Sequence, residues 1–461
     1  MKKLSPRRRL ERNWILYDVG NSAFTLLIST IMPIYFNYLA GEGGIDATTA
    51  TAYWGYAASI VTLCVAILGP TLGTLSDFSG YKRPIFFFFA IAGVLGCAAL
   101  GIPMPWLVFL VVFILTKIFY SASLVFYDSM LVDVTTHERA DDVSSKGYAW
   151  GYIGSCIPFI ISIVIVQFTP LNIAVSMPIA LAINALWWFG FTIPLMKSYR
   201  QTHFVPRTPH AVRDNFKRLF SVFSKKSDVQ NKKGIILFLI AFFLYIDGVY
   251  TIIDMATSFG TALGFDSTNL LLALLLTQVI AFPSAIVFGK LTGKVRNDVL
   301  ILVCIVAYTG IGLFAVFMTE VWQFWTLATA VGLFQGGVQA LSRSYFAKII
   351  PADQSGCLFG ILDIFGKGAA FLGTLLVSVV TQATDSVNLG AIPIVCLFAA
   401  GIAVFVVAAR VNRPYLAKQA ADDAAAAANA PLADPAAEDG AEGEAAAAED
   451  TPAADDDGAS D

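Results

Sequence analysis

The chain has 461 residues, of which 57% are hydrophobic and 14% charged, with a mean hydropathy of +0.70. A soluble globular protein is about 45–50% apolar and about 25% charged, so this composition excludes an array of soluble domains and specifies a polytopic membrane protein. Six cysteines, all inside apolar stretches, exclude a disulfide scaffold, and neither they nor the three histidines have metal-ligand spacing.

The net charge of −3 averages two unlike parts: all 30 Lys and Arg lie at or before Lys418, while 13 of the 33 acidic residues lie after it. A span needs about 20 apolar residues to cross a bilayer core about 30 Å thick. In chain order, a basic N-terminal segment (1–13) precedes apolar stretches at 14–39, 52–75, 84–101, 104–130, 147–168 and 174–195. A basic linker follows (196–233), in which "NFKRLFSVFSKK" reads as a membrane-hugging amphipathic segment. Six further stretches lie at 234–258, 268–289, 299–318, 322–347, 357–381 and 390–409. The expected fold is all-α: twelve transmembrane helices in two six-helix halves, 14–195 and 234–410. Beyond them, 411–461 is an Ala-rich acidic tail too poor in large apolar residues to offset its ordering entropy, and so expected to be disordered.

Basic residues cluster in the N-terminus, in the linker and in the loops after spans two, four, eight and ten. The intervening loops hold no Lys or Arg, only Glu42, Asp46, Asp266, Glu320 and Asp385. The positive-inside rule therefore predicts both termini in the cytoplasm.

Two segments support a duplication. "GTLSDFSGYKRP" (73–84) follows span two and "GKLTGKVRNDV" (289–299) follows span eight, each setting Gly-x-Leu at a helix end before a basic turn. Two such halves fit a transporter whose halves rock around a midplane site.

The first segment resembles the cytoplasmic signature of the major facilitator superfamily, with Gly73, Asp77, Gly80, Lys82 and Arg83 at the motif positions and one residue of displacement at Tyr81. The resemblance implies that Asp77 caps the N-terminus of span eleven and latches one state, as helix-dipole physics allows. It further implies that Lys82 and Arg83 pair with Asp128 and Asp133 at the inner end of span four. Three longer strings narrow the match: "WILYDVGNSAF" (14–24), "FLYIDGVYTIIDMA" (243–256), and "GLFQGGVQALSRSYFAKIIP" with "FGILDIFGKGAAFLG" (332–351, 359–373). They resemble the vacuole-effluxer branch, which contains the fungal autophagy-related amino-acid exporter. This chain departs at Gly293, where the second copy of the signature calls for an aspartate.

Ionisable side chains at mid-bilayer are costly unless paired or hydrated, so each is a candidate site. Lys117 in span four, Asp247 in span seven and Lys367 in span eleven fall near the midplane, and Asp254 lies seven residues past Asp247 on nearly the same helix face. By the superfamily's plan Lys117 and Asp247 are expected to line the cavity. The carboxylates would carry a proton or hold substrate, or else form structural ion pairs with Lys117 or Lys367. Gln335, Gln339 and Arg343 recur every four residues as one polar stripe on span ten. With Asp18 and Asn21 of span one they could form a gate between the halves; the alternative is that Arg343 reaches the headgroups. Asp363 and Lys367, four apart, could satisfy each other.

No P-loop is present, so ATP does not drive the protein, and no nucleic-acid module is visible. His137 to Asp142 matches His-x4-Asp of acyltransferases, but its loop has no room for a catalytic domain, and no enzyme activity or cofactor is expected. The expected function is secondary active transport of a small solute, with protons as the coupling ion, by a monomer in the cytoplasmic membrane. The resemblance implies amino acids or similar metabolites, and export. A transport-inactive scaffold or sensor acting through linker and tail is the alternative from another class, and a channel a third.

Overall fold

The computed structural model describes residues 5–206 and 230–429, except the side chains at 29–30, 47–48, 51–52, 167, 257, 267–268, 271, 367–371, 423 and 426–429. Among these residues twelve helices of 18 or more residues succeed one another: α1 (Pro6–Glu42), α2 (Ala47–Ser76), α3 (Lys82–Ala99), α4 (Trp106–Ser129), α5 (Ala140–Phe168), α6 (Ile173–Ser198), α7 (Lys232–Ala262), α8 (Ser267–Leu291), α9 (Asn297–Val316), α10 (Val321–Ile349), α11 (Ser355–Thr384) and α12 (Ile392–Asn429). Each covers one apolar stretch of the sequence. Nine are long and apolar enough to cross a membrane, and α1 makes a tenth if its two arms, bent by 42° between Ile28 and Ile31, form one span. Pro33 explains that bend, since its ring clashes with the carbonyl four residues earlier and removes that hydrogen bond. Among the described residues α10 and α11 fall outside this count.

The tail expectation is corrected at its start. Helix α12 runs through 411–429 to Asn429, because the Ala-rich stretch has the highest intrinsic helix propensity; residues 430–461 lie outside the described residues. The linker is shorter than expected: α6 continues to Ser198, an extended strap covers 199–206, and α7 starts at Lys232. The amphipathic segment expected at 215–226 also lies outside the described residues.

Residues 5–413 form one compact unit. Within the first half α1 packs on α5 and α6, and α3 on α4; within the second α8 and α9 pack on α10, and α7 on α11. The halves meet where α2 and α4 cross α11 and where α5 crosses α8 and α10. Small residues permit these crossings. A Cβ on Gly73 would fall on the backbone carbonyl of Gly356, and one on Gly360 on that of Gly69, so α2 and α11 touch backbone to backbone. Apolar side chains such as Leu63, Leu95, Leu186, Val306 and Phe317 remain outward and exposed, as a lipid-facing surface requires.

Candidate functional site

Three groups of residues join the halves at the end bearing the 77–83, 134–139 and 350–354 loops. The first is built on Asp77, fully buried at the end of α2. Its Oδ1 accepts the backbone N–H of Gly356 at 2.7 Å and its Oδ2 that of Cys357 at 3.0 Å, in the first turn of α11. The chain can turn beneath it because Gly80 adopts φ +78°, a conformation favoured for glycine. Lys82, also fully buried, donates to Ser355 Oγ at 2.8 Å and lies 3.7 Å from Asp133. Asp133 is in turn the hub of the strap, accepting Tyr199 Oη at 2.5 Å and the backbone N–H groups of Thr202 and His203.

One expected pairing is corrected here. Arg83 bonds neither Asp128 nor Asp133; its guanidinium donates twice to the carbonyl of Met196, at 3.1 and 2.9 Å, because the start of α3 faces the end of α6. Asp128 is left for a different cation.

That cation is Arg343 of the second half, 5% exposed and enclosed by three helices of the first. It donates to Asp128 Oδ1 at 3.0 Å, to Ser144 Oγ at 2.9 Å and to the Ser144 carbonyl at 3.0 Å, and lies 3.6 Å from Asp18 Oδ2. Aromatic rings complete the enclosure: its Cζ stands 4.6 Å from the Trp14 ring centre and 4.3 Å from that of Tyr148, with Tyr127 at 5.6 Å. Guanidinium over an aromatic face is favourable electrostatics, more so when desolvated. Trp14 is held in place by stacking on Tyr127 at 4.4 Å and by donating Nε1–H to its carbonyl. Arg343 therefore does not reach the headgroups. Asn21, expected beside it, turns to the Tyr17 carbonyl and to Asp18. Sequence reasoning missed Trp14, Tyr127, Ser144 and Tyr148. Only the aromatic-rich "WILYD" beside Asp18 could have hinted at such an enclosure.

The third group lies where α5 meets the second half. Asp141, in the first turn of α5, receives Lys348 Nζ and Asn297 Nδ2, each at 2.5 Å. Ser144 donates to the Ala340 carbonyl at 2.8 Å.

Behind this closure the halves enclose a cavity of about 370 Å³. Lys117, Asp254, Gln339, Asp363 and the inner faces of Asp128 and Arg343 supply its polar lining; Phe242, Tyr250 and Phe359 are among its apolar walls. Gln339 accepts the Tyr152 hydroxyl at 3.1 Å, and Lys117 acts electrostatically on Asp254. Asp247 is elsewhere. It is wholly buried between α7 and α11, accepting the backbone N–H of Gly373 at 2.8 Å and the Thr251 hydroxyl at 3.3 Å, and it is absent from the cavity wall. The expectation that it lines the cavity fails because depth along a helix does not fix which way the helix faces. Gln335 is buried on α10 and also off the wall. The side chain of Lys367 lies outside the described residues, and with it the expected pairing to Asp363.

The architecture is one shared with solved membrane transporters at low sequence identity. The fold matches that of the human organic anion transporter MFSD10 with a TM-score of 0.68 at 12% identity, covering 87% of this chain and 100% of that one. It also matches a bacterial homologue of the iron transporter ferroportin in its outward-facing state with soaked iron, with a TM-score of 0.64 at 14% identity over 88% and 100% of the two chains. In sequence the chain is 41% identical over 402 residues to the uncharacterized MFS-type transporter YxiO of Bacillus subtilis, covering 86% of this chain and 93% of that one. It is 28% identical over 267 residues to autophagy-related protein 22-1 of Aspergillus niger, covering 52% of this chain and 42% of that protein's length. Residues 43–137 and 132–414 match the family described as vacuole effluxer Atg22 like, and the chain belongs to that family.

Proposed function

We propose that the chain is a secondary active transporter that moves a small solute across the cytoplasmic membrane by alternating access. In this reading all twelve long helices span, α10 and α11 included, both termini lie in the cytoplasm, and the protein works as a monomer. The observation that carries the proposal is the cavity between the halves, closed at its basic end by Arg343 in its acid and aromatic enclosure and by Asp77 on α11. With the positive-inside orientation this is an outward-open state. Opening the other way requires that the Asp77, Lys82, Asp133 and Arg343 contacts part together.

Lys117 and Asp254, opposite charges lining one cavity, are the groups proposed to meet the solute, with Gln339 beside them. Asp247 is proposed as a carrier of the coupling proton, since one of its oxygens, Oδ2, is buried without a hydrogen-bond partner among the described residues. Membership of the effluxer family supports amino acids or related metabolites as solutes, and export as direction. The test is counter-flow in proteoliposomes holding the purified full chain, with a panel of amino acids and a pH gradient. Expected is exchange of at least one solute and its uphill movement when a gradient is imposed. Absence of exchange across the panel would overturn the solute class, and exchange indifferent to any gradient would overturn the coupling.

A further inference from the structure

Two carboxylates share one guanidinium at the gate, and they are not equivalent. Asp128 is hydrogen-bonded to Arg343 at 3.0 Å and its side chain is 30% exposed towards the cavity. Asp18 stands off at 3.6 Å with its side chain 9% exposed, and its Oδ2 has no hydrogen-bond partner among the described residues. The Tyr127 hydroxyl, which acts on Asp18, is also buried and without a partner of regular geometry among those residues. The other oxygen, Oδ1, receives only the long 3.5 Å contact from Asn21.

Among the described side chains, Arg343 is the cation that acts on both carboxylates. The titratable groups facing the pair are Tyr17 on α1, Tyr120 and Tyr127 on α4, Tyr148 and Tyr152 on α5, Tyr250 on α7 and Asp363 on α11, together with Arg343 itself. Lys117, on the wall of the same cavity, acts on Asp254. A buried carboxylate with one oxygen left without a hydrogen bond, and with its counter-charge shared with a second acid, is disfavoured in the ionised form.

We infer that the closed gate binds one proton on Asp18, at a site separate from Asp247, with Asp128 as its port to the cavity. The closed triad is then neutral overall within itself: Asp18 protonated, Asp128 ionised, Arg343 charged. When Arg343 withdraws with the second half, Asp18 and Asp128 meet water and the proton leaves Asp18 as a free proton. Closure takes up one proton and opening releases one, so acid favours the closed gate. Where the open form has lost the proton and the closed form keeps it, each pH unit changes the closed-to-open ratio by at most about tenfold.

The test uses the full chain in lipid nanodiscs, with Cys64 and Cys396 replaced by serine and spin labels on cysteines introduced at the exposed positions Arg200 and Lys294. Pulsed dipolar spectroscopy then reads the separation of the halves from pH 5 to 9. Expected is loss of the short-distance population as pH rises and a flat and closed profile in Asp18→Asn. A companion infrared titration looks for the C=O stretch of a buried protonated carboxyl at neutral pH. The band should weaken by one carboxyl in Asp18→Asn, and also in Asp128→Asn, which leaves one acid per guanidinium and serves where Asp18→Asn does not fold. An unchanged band in these variants, or a pH slope that survives Asp18→Asn, overturns the inference. Neither readout needs a solute, so a responsive triad in a protein that exchanges nothing would sink the transport reading and leave this one standing.

Discussion

The two corners where the halves cross carry the two similar Gly-x-Leu segments but are fastened differently. At the α2–α11 corner a carboxylate from one half, Asp77, holds backbone N–H groups of the other. At the α8–α5 corner Gly293 stands where that carboxylate would be, and the acid is on the receiving helix itself: Asp141 on α5 is reached by Lys348 and Asn297. The first fastening uses groups that every helix start possesses and that no substitution in α11 can delete, short of proline. The second depends on three particular side chains. One corner is tied to helix geometry, the other to residue identity.

Five substitutions, in four tests, would break or sharpen this contrast. The largest effect is expected from Asp77→Asn, which turns two charge-assisted bonds into at best one neutral one; each is worth about 1.5–3 kcal/mol. The halves should part at the basic end by a tenfold or greater shift in accessibility of a cysteine placed at Ser355, with membrane insertion unchanged. A wild-type labelling rate would remove the latch. Next comes Gly73→Ala, whose added methyl meets the Gly356 carbonyl of α11 and has only backbone to push against. Overpacking of this kind is destabilising by about 1–3 kcal/mol, and a lowered melting temperature in detergent is the measurement. At the second corner a double-mutant cycle of Asp141→Asn and Lys348→Gln should return a coupling of about 1 kcal/mol, within the usual range for contacting residues. Additive effects would show the pair to be incidental. Smallest is Gly293→Asp, which restores the missing acid. A Cβ there meets only the Lys290 carbonyl at 3.5 Å, so the change should stay within about 0.5 kcal/mol in thermal unfolding. A marked stabilisation would mean the second corner can also accept the first corner's device.

The same contrast explains what the sequence could and could not disclose. Asp77 is legible because its motif is contiguous and its partner, a helix start, is what the family resemblance implies. Asp18 and Arg343 are legible as polar groups that cannot face lipid. Their enclosure is not, because Trp14, Tyr127 and Tyr148 come from three helices and look like ordinary membrane aromatics until the chain is folded. Asp247 illustrates the opposite difficulty: its depth was readable from its position in span seven, its azimuth was not. That azimuth is set by α11, where the absence of a Cβ at Gly373 lets the carboxylate reach a backbone N–H. Arg83 was misassigned for a similar reason, since a motif fixes spacing along one helix and not which neighbour stands opposite.

The strap that leaves α6 has a practical consequence for anyone grafting onto this protein. Val205 donates its N–H to the Asp77 carbonyl and accepts that of Ser79, while Gln201 donates to the Ser76 carbonyl and accepts from Gly80. Residues 199–205 are thereby stitched to the loop that carries Asp77, and that loop in turn grips α11. A reporter domain or epitope inserted between Tyr199 and Val205 would have to unpick this seam, and its folding would be felt at the junction of the halves. Insertion tolerance follows backbone bonding rather than loop length, so the eight residues that follow the end of α6, up to Pro206, are not the free connection their lack of helix would suggest.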